Sequence, residues 1–345
     1  MVRAIEWVDE TLPLIRLIDQ TLLPGTEHYV DVTTVDVLVE SIQALVIRGA
    51  PALGAAGALG VALAMVQAGE ESWDTARLET EIDRIRDARP TAVNLAWGVN
   101  QVRGSVRRGV AEVLRLARQV VADDEAANRR LSVHGADWIL AHVARDTVRV
   151  VTHCNTGALA TSAWGTAYGI IHELHQRGRL GLVYADETRP LLQGARLTSW
   201  ELLQDGIEHV VQADSAAAST ILRGLVDVAI IGADRIAANG DTANKVGSVG
   251  LALACQRAGI PFVVAAPSST VDLAIARGED IVIEQRHEDE VLSFAGTRTA
   301  PAGARGFNPA FDVTPCDLIS IVVTERGVAE TATNPDPNLL ATIAG

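Results

Sequence analysis

The chain changes its hydrophobic rhythm near residue 145. Ahead of that point apolar residues recur at three- and four-residue spacing, as on a helix that buries one face. TVDVLVESIQALVIRG (34–49), PALGAAGALGVALAMVQ (51–67) and SWDTARLETEIDRIRDAR (72–89) predict helices, and Arg- and Ala-rich stretches carry the pattern to Arg145. Before them, AIEWVDETLPLIRLIDQTLLPG (4–25) reads as short strands and a turn. From Val148 onward, short β-branched runs alternate with turns and helical stretches: VRVVTH, LGLVYA, EHVVQA, LVDVAIIG and PFVVAAP. That alternation predicts an α/β fold whose parallel sheet is covered by helices. The expected division is a smaller, mainly helical N-terminal domain with short strands at residues 1–145, and a sheet domain at 146–345.

Composition narrows the class. The chain has 345 residues, 48% of them hydrophobic and 21% charged, enough to bury a large core. A net charge of -14 argues against a nucleic-acid or anionic-membrane binder, so an anionic ligand must meet a local positive site. Cys154, Cys255 and Cys316 are far apart and form no CxxC pair. That spacing, with no basic-then-apolar leader at MVRAIEWVDE, gives a reducing cytoplasm as the expected location. The uncharged run GAPALGAAGALGVALAMVQAG (49–69) is long enough to span a bilayer, but its Ala- and Gly-rich composition weighs against a span.

In a parallel sheet, ligands collect at the carboxyl ends of strands. The residues just past the predicted strands are Cys154, Asp186 to Arg189, Asp214, the stretch 232–245, and Pro267 to Ser269. Cys154 stands after a strand and before an expected helix start, where free amides favour a thiolate; the alternative is a small residue filling a buried gap, the reading given to Cys255 and Cys316. Asp234 and Lys245 bracket a polar loop that lacks the alternating oxygen ligands of a calcium site, since Ile236 and Ala238 occupy two of those positions. Of 29 basic residues, Lys245 is the single lysine, which suggests a place where a compact charge is wanted. Arg48, beside the amides of Gly49 and Ala50 ahead of Pro51, makes either an anion site or an ordinary turn, and Arg89 before Pro90 repeats the arrangement. HELH (172–175) does not have metalloprotease spacing, and GxGxxG, GxSxG and paired CxxC motifs are missing. Neither a cofactor nor a metal is expected.

Eight segments taken together resemble the methylthioribose-1-phosphate isomerase family over nearly the whole chain. They are IEWVDETLPLIRLIDQTLLP, VIRGAPALG, RPTAVNLAWG, THCNTGALAT, YADETRPLLQGARLTSWEL, GADRIAANGDTANKVGS, VAAPSSTVD and NPAFDVTP. The resemblance implies a Rossmann-like C-terminal domain, a homodimer, and isomerisation of 5-methylthioribose 1-phosphate to 5-methylthioribulose 1-phosphate in methionine salvage. Cys154 and Asp234 match the family's catalytic pair. Arg48, Gly49, Ala50, Arg89, Gln193, Asn244 and Lys245 match its substrate-binding positions. Because the C1 phosphate locks the sugar as a ring, the resemblance further implies acid-assisted ring opening by Asp234 and proton movement from C2 to C1 by Cys154, with a hydride shift as the alternative. Isomerases of 5-deoxyribose 1-phosphate or ribose 1,5-bisphosphate share this logic. The related regulatory subunits of a translation-factor exchange complex are scaffolds of the same ancestry.

Overall fold

The structure, a computed structural model, describes residues 2–9, 13–90, 93–331 and 340–344; residues 10–12 and 91–92, which belong to two of the motifs above, lie outside them. The chain forms two compact units, residues 1–127 with 156–165, and residues 128–155 with 166–345.

The first unit opens with an antiparallel sheet of β1 (Ile5–Asp9), β2 (Pro13–Ile18) and β3 (Tyr29–Val32). Helices α1 (Val35–Gln43), α2 (Ala50–Glu70), α3 (Thr75–Arg86), α4 (Val93–Arg103) and the start of α5 (Val110–His142) follow. Helix starts coincide with capping chemistry: the Thr34 side chain accepts from Val37 N–H, and that of Asp74 from Arg77 N–H. The uncharged run that could span a membrane by length is α2, and its window of membrane-like hydropathy is 78% buried inside the protein. Leu53, Leu59, Val61 and Leu63 lie in the core of this unit, each contributing about 1.5–3 kcal/mol through burial. Small residues let α4 approach α2 closely: a Cβ added at Gly98 would stand 1.9 Å from the Gly54 carbonyl oxygen.

The second unit carries β4 (Val148–Thr152), α6 (Ala167–Gln176), β5 (Leu180–Asp186), α7 (Ser199–Gln204), β6 (His209–Gln212), α8 (Ala217–Leu222) and β7 (Val228–Ile231). After these come β8 (Arg235–Ala237), β9 (Thr242–Lys245), α9 (Ser248–Ala258), β10 (Phe262–Ala265), β11 (Val271–Asp272) and α10 (Asp289–Leu292). The last strands are β12 (Ser293–Phe294), β13 (Thr297–Arg298), β14 (Phe311–Thr314), β15 (Ile321–Thr324) and β16 (Gly327–Glu330). All five runs expected as strands are strands of one seven-stranded sheet, ordered β16-β15-β10-β7-β4-β5-β6. Every pairing is parallel except β15 with β16. This is the doubly wound order, which reverses between β4 and β7.

The strands read as continuous apolar runs because both faces of the sheet are covered. Val150, Ile230, Val263 and Ile321 pack into the core on one face, while Val151, Ala229, Val264 and Val322 enter the core on the other. A smaller sheet, β11-β8-β9-β14, grows from the segment after β7.

Two features correct the expected division at residue 145. The units part between Ala127 and Asn128, inside α5: Val113 and Ala117 join the core of the first unit, Leu131, Ala136 and Ile139 that of the second. The change of rhythm at 145 marks the end of a helix that both units share. Residues 156–165 also return to the first unit, where Gln20 Nε2–H donates to the Leu159 carbonyl at 2.7 Å and Ser162 N–H to Asp124 Oδ2 at 2.7 Å.

The α2–α4 contact sets an expectation for stability. Gly98→Ala forces backbone apart and should destabilise by about 1–3 kcal/mol or more, read as a lowered urea midpoint. Gly69→Ala, at a site in α2 with nothing within 4 Å, should leave the midpoint unchanged or raise it.

Candidate functional site

The reversal of strand order leaves the carboxyl ends of β4 and β7 side by side, and both carry predicted site residues. Thr152 Oγ1–H donates to the Ile230 carbonyl at 2.8 Å, fixing the two ends to each other. Cys154 follows β4 by two residues, is buried, and has a φ of +65°. For a residue with a side chain, that left-handed conformation costs about 1–2 kcal/mol. Its backbone is held on both sides: Cys154 N–H donates to Thr188 Oγ1 at 2.9 Å, and Thr198 Oγ1–H donates to the Cys154 carbonyl at 2.6 Å. Two such bonds, each worth about 0.5–1.5 kcal/mol net, are large enough to offset the strain.

The holders are themselves anchored. Thr188 Oγ1–H donates to the Asp186 carbonyl at 2.9 Å, so one hydroxyl both accepts and donates. The Asp214 carboxylate accepts from Thr188 N–H and Arg189 N–H, each at 2.7 Å. Gly194 lies against this turn: an added Cβ would sit 1.7 Å from the Asp186 carbonyl oxygen and 2.8 Å from Thr188 Oγ1. On the other side, Asn155 Nδ2–H donates to Glu201 Oε2 at 2.5 Å and lies 3.3 Å from Thr198 Oγ1.

The expected helix start after Cys154 is not formed. A single 3-10 turn at Ala158–Ala160 follows, and α6 begins only at Ala167, because the intervening segment packs into the first unit. Position at a helix N-terminus therefore gives no account of Cys154. Cys255 and Cys316 agree with their reading as packed thiols: burial pushes Cys255 up to about 12, and burial, then the Asp241 carboxylate, pushes Cys316 up.

Asp234 lies three residues past β7, half-buried, with its N–H donating to the Ala243 carbonyl at 2.9 Å. That bond sets it beside the strand carrying Asn244 and Lys245. Asn239 and Asp241 are turn residues: Asp241 accepts from Asn239, from Gly278 N–H and from Cys316 N–H. Lys245 ends β9 rather than starting a helix; its Nζ donates to the Ala310 carbonyl at 2.8 Å and sits 4.4 Å from the Phe311 ring centre. The start of α9, three residues on, is occupied, since Asp312 Oδ2 accepts from Gly247 N–H at 2.7 Å and Val249 N–H at 3.3 Å. Asn244 is buried and bonds Ser248 Oγ at 2.9 Å. Gln193, next to Gly194, is 5% exposed, and among the described residues its Oε1 has no hydrogen-bond partner.

His153 joins these parts. Its Nε2–H donates to the Val246 carbonyl at 2.9 Å and its Nδ1 faces Asp186 Oδ2 at 2.9 Å, with both side chains 1% exposed. Gln212 Nε2–H donates to the other Asp186 oxygen at 2.9 Å, and burial pushes the Asp186 carboxyl up against the lowering pull of His153. Burial works against a charge on His153, but the Asp186 carboxylate and the Val246 carbonyl outweigh it and hold the imidazolium above its ordinary range. His153, Asp186 and Asp214 have ligand atoms within 4.8 Å of one another, a metal-like cluster. The bonds above already engage each of them.

Cys154, Gln193, Asp234, Asn244 and Lys245 all belong to the second unit. Arg48, Gly49, Ala50 and Arg89 belong to the first unit. There Gly49 caps α2 at φ +95° without a side-chain capping bond, and its missing Cβ makes room for Ala160, whose carbonyl oxygen would be 2.3 Å away. Sequence reasoning flagged Thr188 and Asp214 only as strand-end positions. It gave no role to His153, Thr198 and Asp312, although each lies in one of the quoted segments.

Residues 46–331 match the initiation factor 2 subunit family. The chain is 45% identical to a methylthioribose-1-phosphate isomerase of Gloeobacter violaceus, over 95% of this chain and 93% of the relative. It is 48% identical to a probable bifunctional methylthioribose-1-phosphate isomerase/methylthioribulose-1-phosphate dehydratase of Nocardia farcinica, of which it spans only 61%. Among solved structures, it is similar to the 5-methylthioribose 1-phosphate isomerase of Pyrococcus horikoshii OT3, with a TM-score of 0.89, 36% identity, and coverage of 99% of this chain and 96% of the other. It is also similar to a chain titled translation initiation factor eIF-2B, subunit delta, from A. fulgidus, with a TM-score of 0.86, 37% identity, and coverage of 99% and 100%.

The His153 geometry sets a pH expectation. A histidine held above its unfolded pKa of about 6.5 contributes stability that is complete below that pH and is lost as pH rises through the folded value. A nitrogen-15 NMR titration should give His153 a midpoint above that of an unfolded histidine. His153→Gln should remove the alkaline part of the fall in stability, and a midpoint at or below the unfolded value would contradict the assignment.

Proposed function

The chain belongs to the initiation factor 2 subunit family and, within it, to the methylthioribose-1-phosphate isomerases, and from this membership we propose that it converts 5-methylthioribose 1-phosphate into 5-methylthioribulose 1-phosphate, a step of methionine salvage. What supports the reading is that Cys154 and Asp234 follow the carboxyl ends of β4 and β7, adjacent strands between which the sheet order reverses. The chemistry balances without an external oxidant. The Asp234 carboxyl protonates the ring oxygen and the C1–O bond opens. The Cys154 sulfur takes the proton from C2, the electron pair enters the C1–C2 bond, and the proton returns to C1. The C2 hydroxyl loses its proton to Asp234, so C2 is oxidised as C1 is reduced.

In this reading Gln193, Asn244 and Lys245 bind the sugar phosphate from the second unit. The partnerless Gln193 oxygen supports the role, because a buried acceptor left unmet costs about 1–3 kcal/mol and a sugar hydroxyl would satisfy it. Arg48, Gly49, Ala50 and Arg89 are proposed, from the resemblance, as further substrate-binding residues. The uncapped start of α2 supports it, since free amides beside an arginine suit a phosphate. A homodimer in the cytoplasm completes the proposal.

Purified protein should form ketose by NMR from 5-methylthioribose 1-phosphate faster than from 5-deoxyribose 1-phosphate or ribose 1,5-bisphosphate. No turnover of any of them would favour the scaffold reading that the eIF-2B resemblance raises. Cys154→Ser and Asp234→Asn should each lower kcat by about 100-fold or more. Deuterium at C2 should wash out into solvent; full retention at C1 would mean a hydride shift. Lys245→Ala and Arg48→Ala should chiefly raise KM, by about tenfold or more. Light scattering should give twice the chain mass.

A further inference from the structure

We propose that Thr188 and Thr198 are positioning residues that set the direction of the Cys154 thiol, a role resting on the catalytic reading of Cys154. The argument is geometric. Cys154 stands in the left-handed region without being glycine, so its conformation must be imposed from outside. Both of its backbone polar groups are bonded to threonine hydroxyls, Thr188 at its N–H and Thr198 at its carbonyl. Released from either hydroxyl, the peptide relaxes toward an ordinary φ, which turns the Cα–Cβ bond and carries the sulfur away from C2.

The surroundings favour a dedicated clamp over incidental contact. Thr188 is itself left-handed at φ +63°, and its N–H is fixed by the Asp214 carboxylate. Gly194 leaves room for its hydroxyl where any Cβ would collide. Thr198 lies ahead of α7, and its hydroxyl also faces Asn155 Nδ2, the side chain next after the cysteine. Both clamping groups are neutral. They therefore hold the thiol's backbone without setting a fixed charge beside a sulfur that must exchange a proton.

The test is steady-state kinetics on Thr188→Val and Thr188→Ser. Valine keeps the shape and removes the hydroxyl; serine keeps the hydroxyl. Misplacing a reacting group by about 1 Å can cost on the order of 100-fold, so Thr188→Val should lower kcat at least tenfold with KM within twofold. Thr188→Ser should recover kcat to within about threefold of the unaltered enzyme. A Thr188→Val enzyme with unaltered kcat overturns the proposal. So does a loss shared equally by kcat and KM, or one that serine does not rescue, since either is what a merely structural role produces. If Thr188→Val does not fold, Thr198→Val and Thr198→Ser are read by the same criteria. Cys154→Ala in parallel separates the two readings: full activity there removes Cys154 from the chemistry, whereas an inactive Cys154→Ala beside a fully active Thr188→Val removes only the clamp.

Discussion

Everything at the site depends on the reversal of strand order between β4 and β7. Right-handed crossovers send the connections from these two strands to opposite faces of the sheet, so no helix crosses over their shared carboxyl end. The gap holds the residues leaving both strands, and the Thr152–Ile230 bond keeps its two sides in register. Thr188 and Gln193 approach from the loop after β5, the strand beside β4, while Asn244 and Lys245 arrive on the small sheet that begins directly after Asp234.

Formal charges around this gap are placed one step behind the cysteine. Asp186 is bonded to His153 and Gln212, Asp214 to two backbone amides, Glu201 to Asn155, and Asp312 to the start of α9. Hydrogen bonds with one ionised partner are roughly twice as strong as neutral ones, so these acids are effective anchors for loops. The groups that touch the Cys154 backbone directly are neutral hydroxyls. Rigidity comes from the charged layer behind them.

How much of this could be read in the sequence follows from the range over which each feature is determined. The strands were legible because a sheet buried on both faces needs unbroken β-branched runs such as VAII and FVVA. The division inside α5 was not, because helical periodicity runs through Ala127 and Asn128 unchanged while only the packing partner switches. The left-handed Cys154 was invisible because the usual signal, a glycine or asparagine, is replaced by threonines 34 and 44 positions away. The helix expected after Gly157 failed for a related reason: small residues there, Ala158 and Ala160 among them, suit a helix locally but serve a close approach to Gly49 within the first unit. Gln193 and Asn244 came as binding positions from family resemblance, whereas Lys245 was also marked locally, as the single lysine at the end of a polar loop.

The positive sites also sort themselves physically. Sequence offered an anion site at the helix start after Gly49, an arrangement repeated before Pro90, and a compact charge at Lys245. At the helix start after Lys245, Asp312 has taken the amides of Gly247 and Val249, and a phosphate there would have to displace a carboxylate already bonded to both. Lys245 is instead a point charge at the end of a strand, steadied by the Ala310 carbonyl and the face of Phe311, and a compact ammonium suits that geometry better than the broad fork of an arginine. The start of α2 has no side-chain cap, so in a chain of net charge -14 it keeps the helix-terminus field available to an anion. The start of α9 is thus closed by an acid from within, while that of α2 carries no side-chain cap.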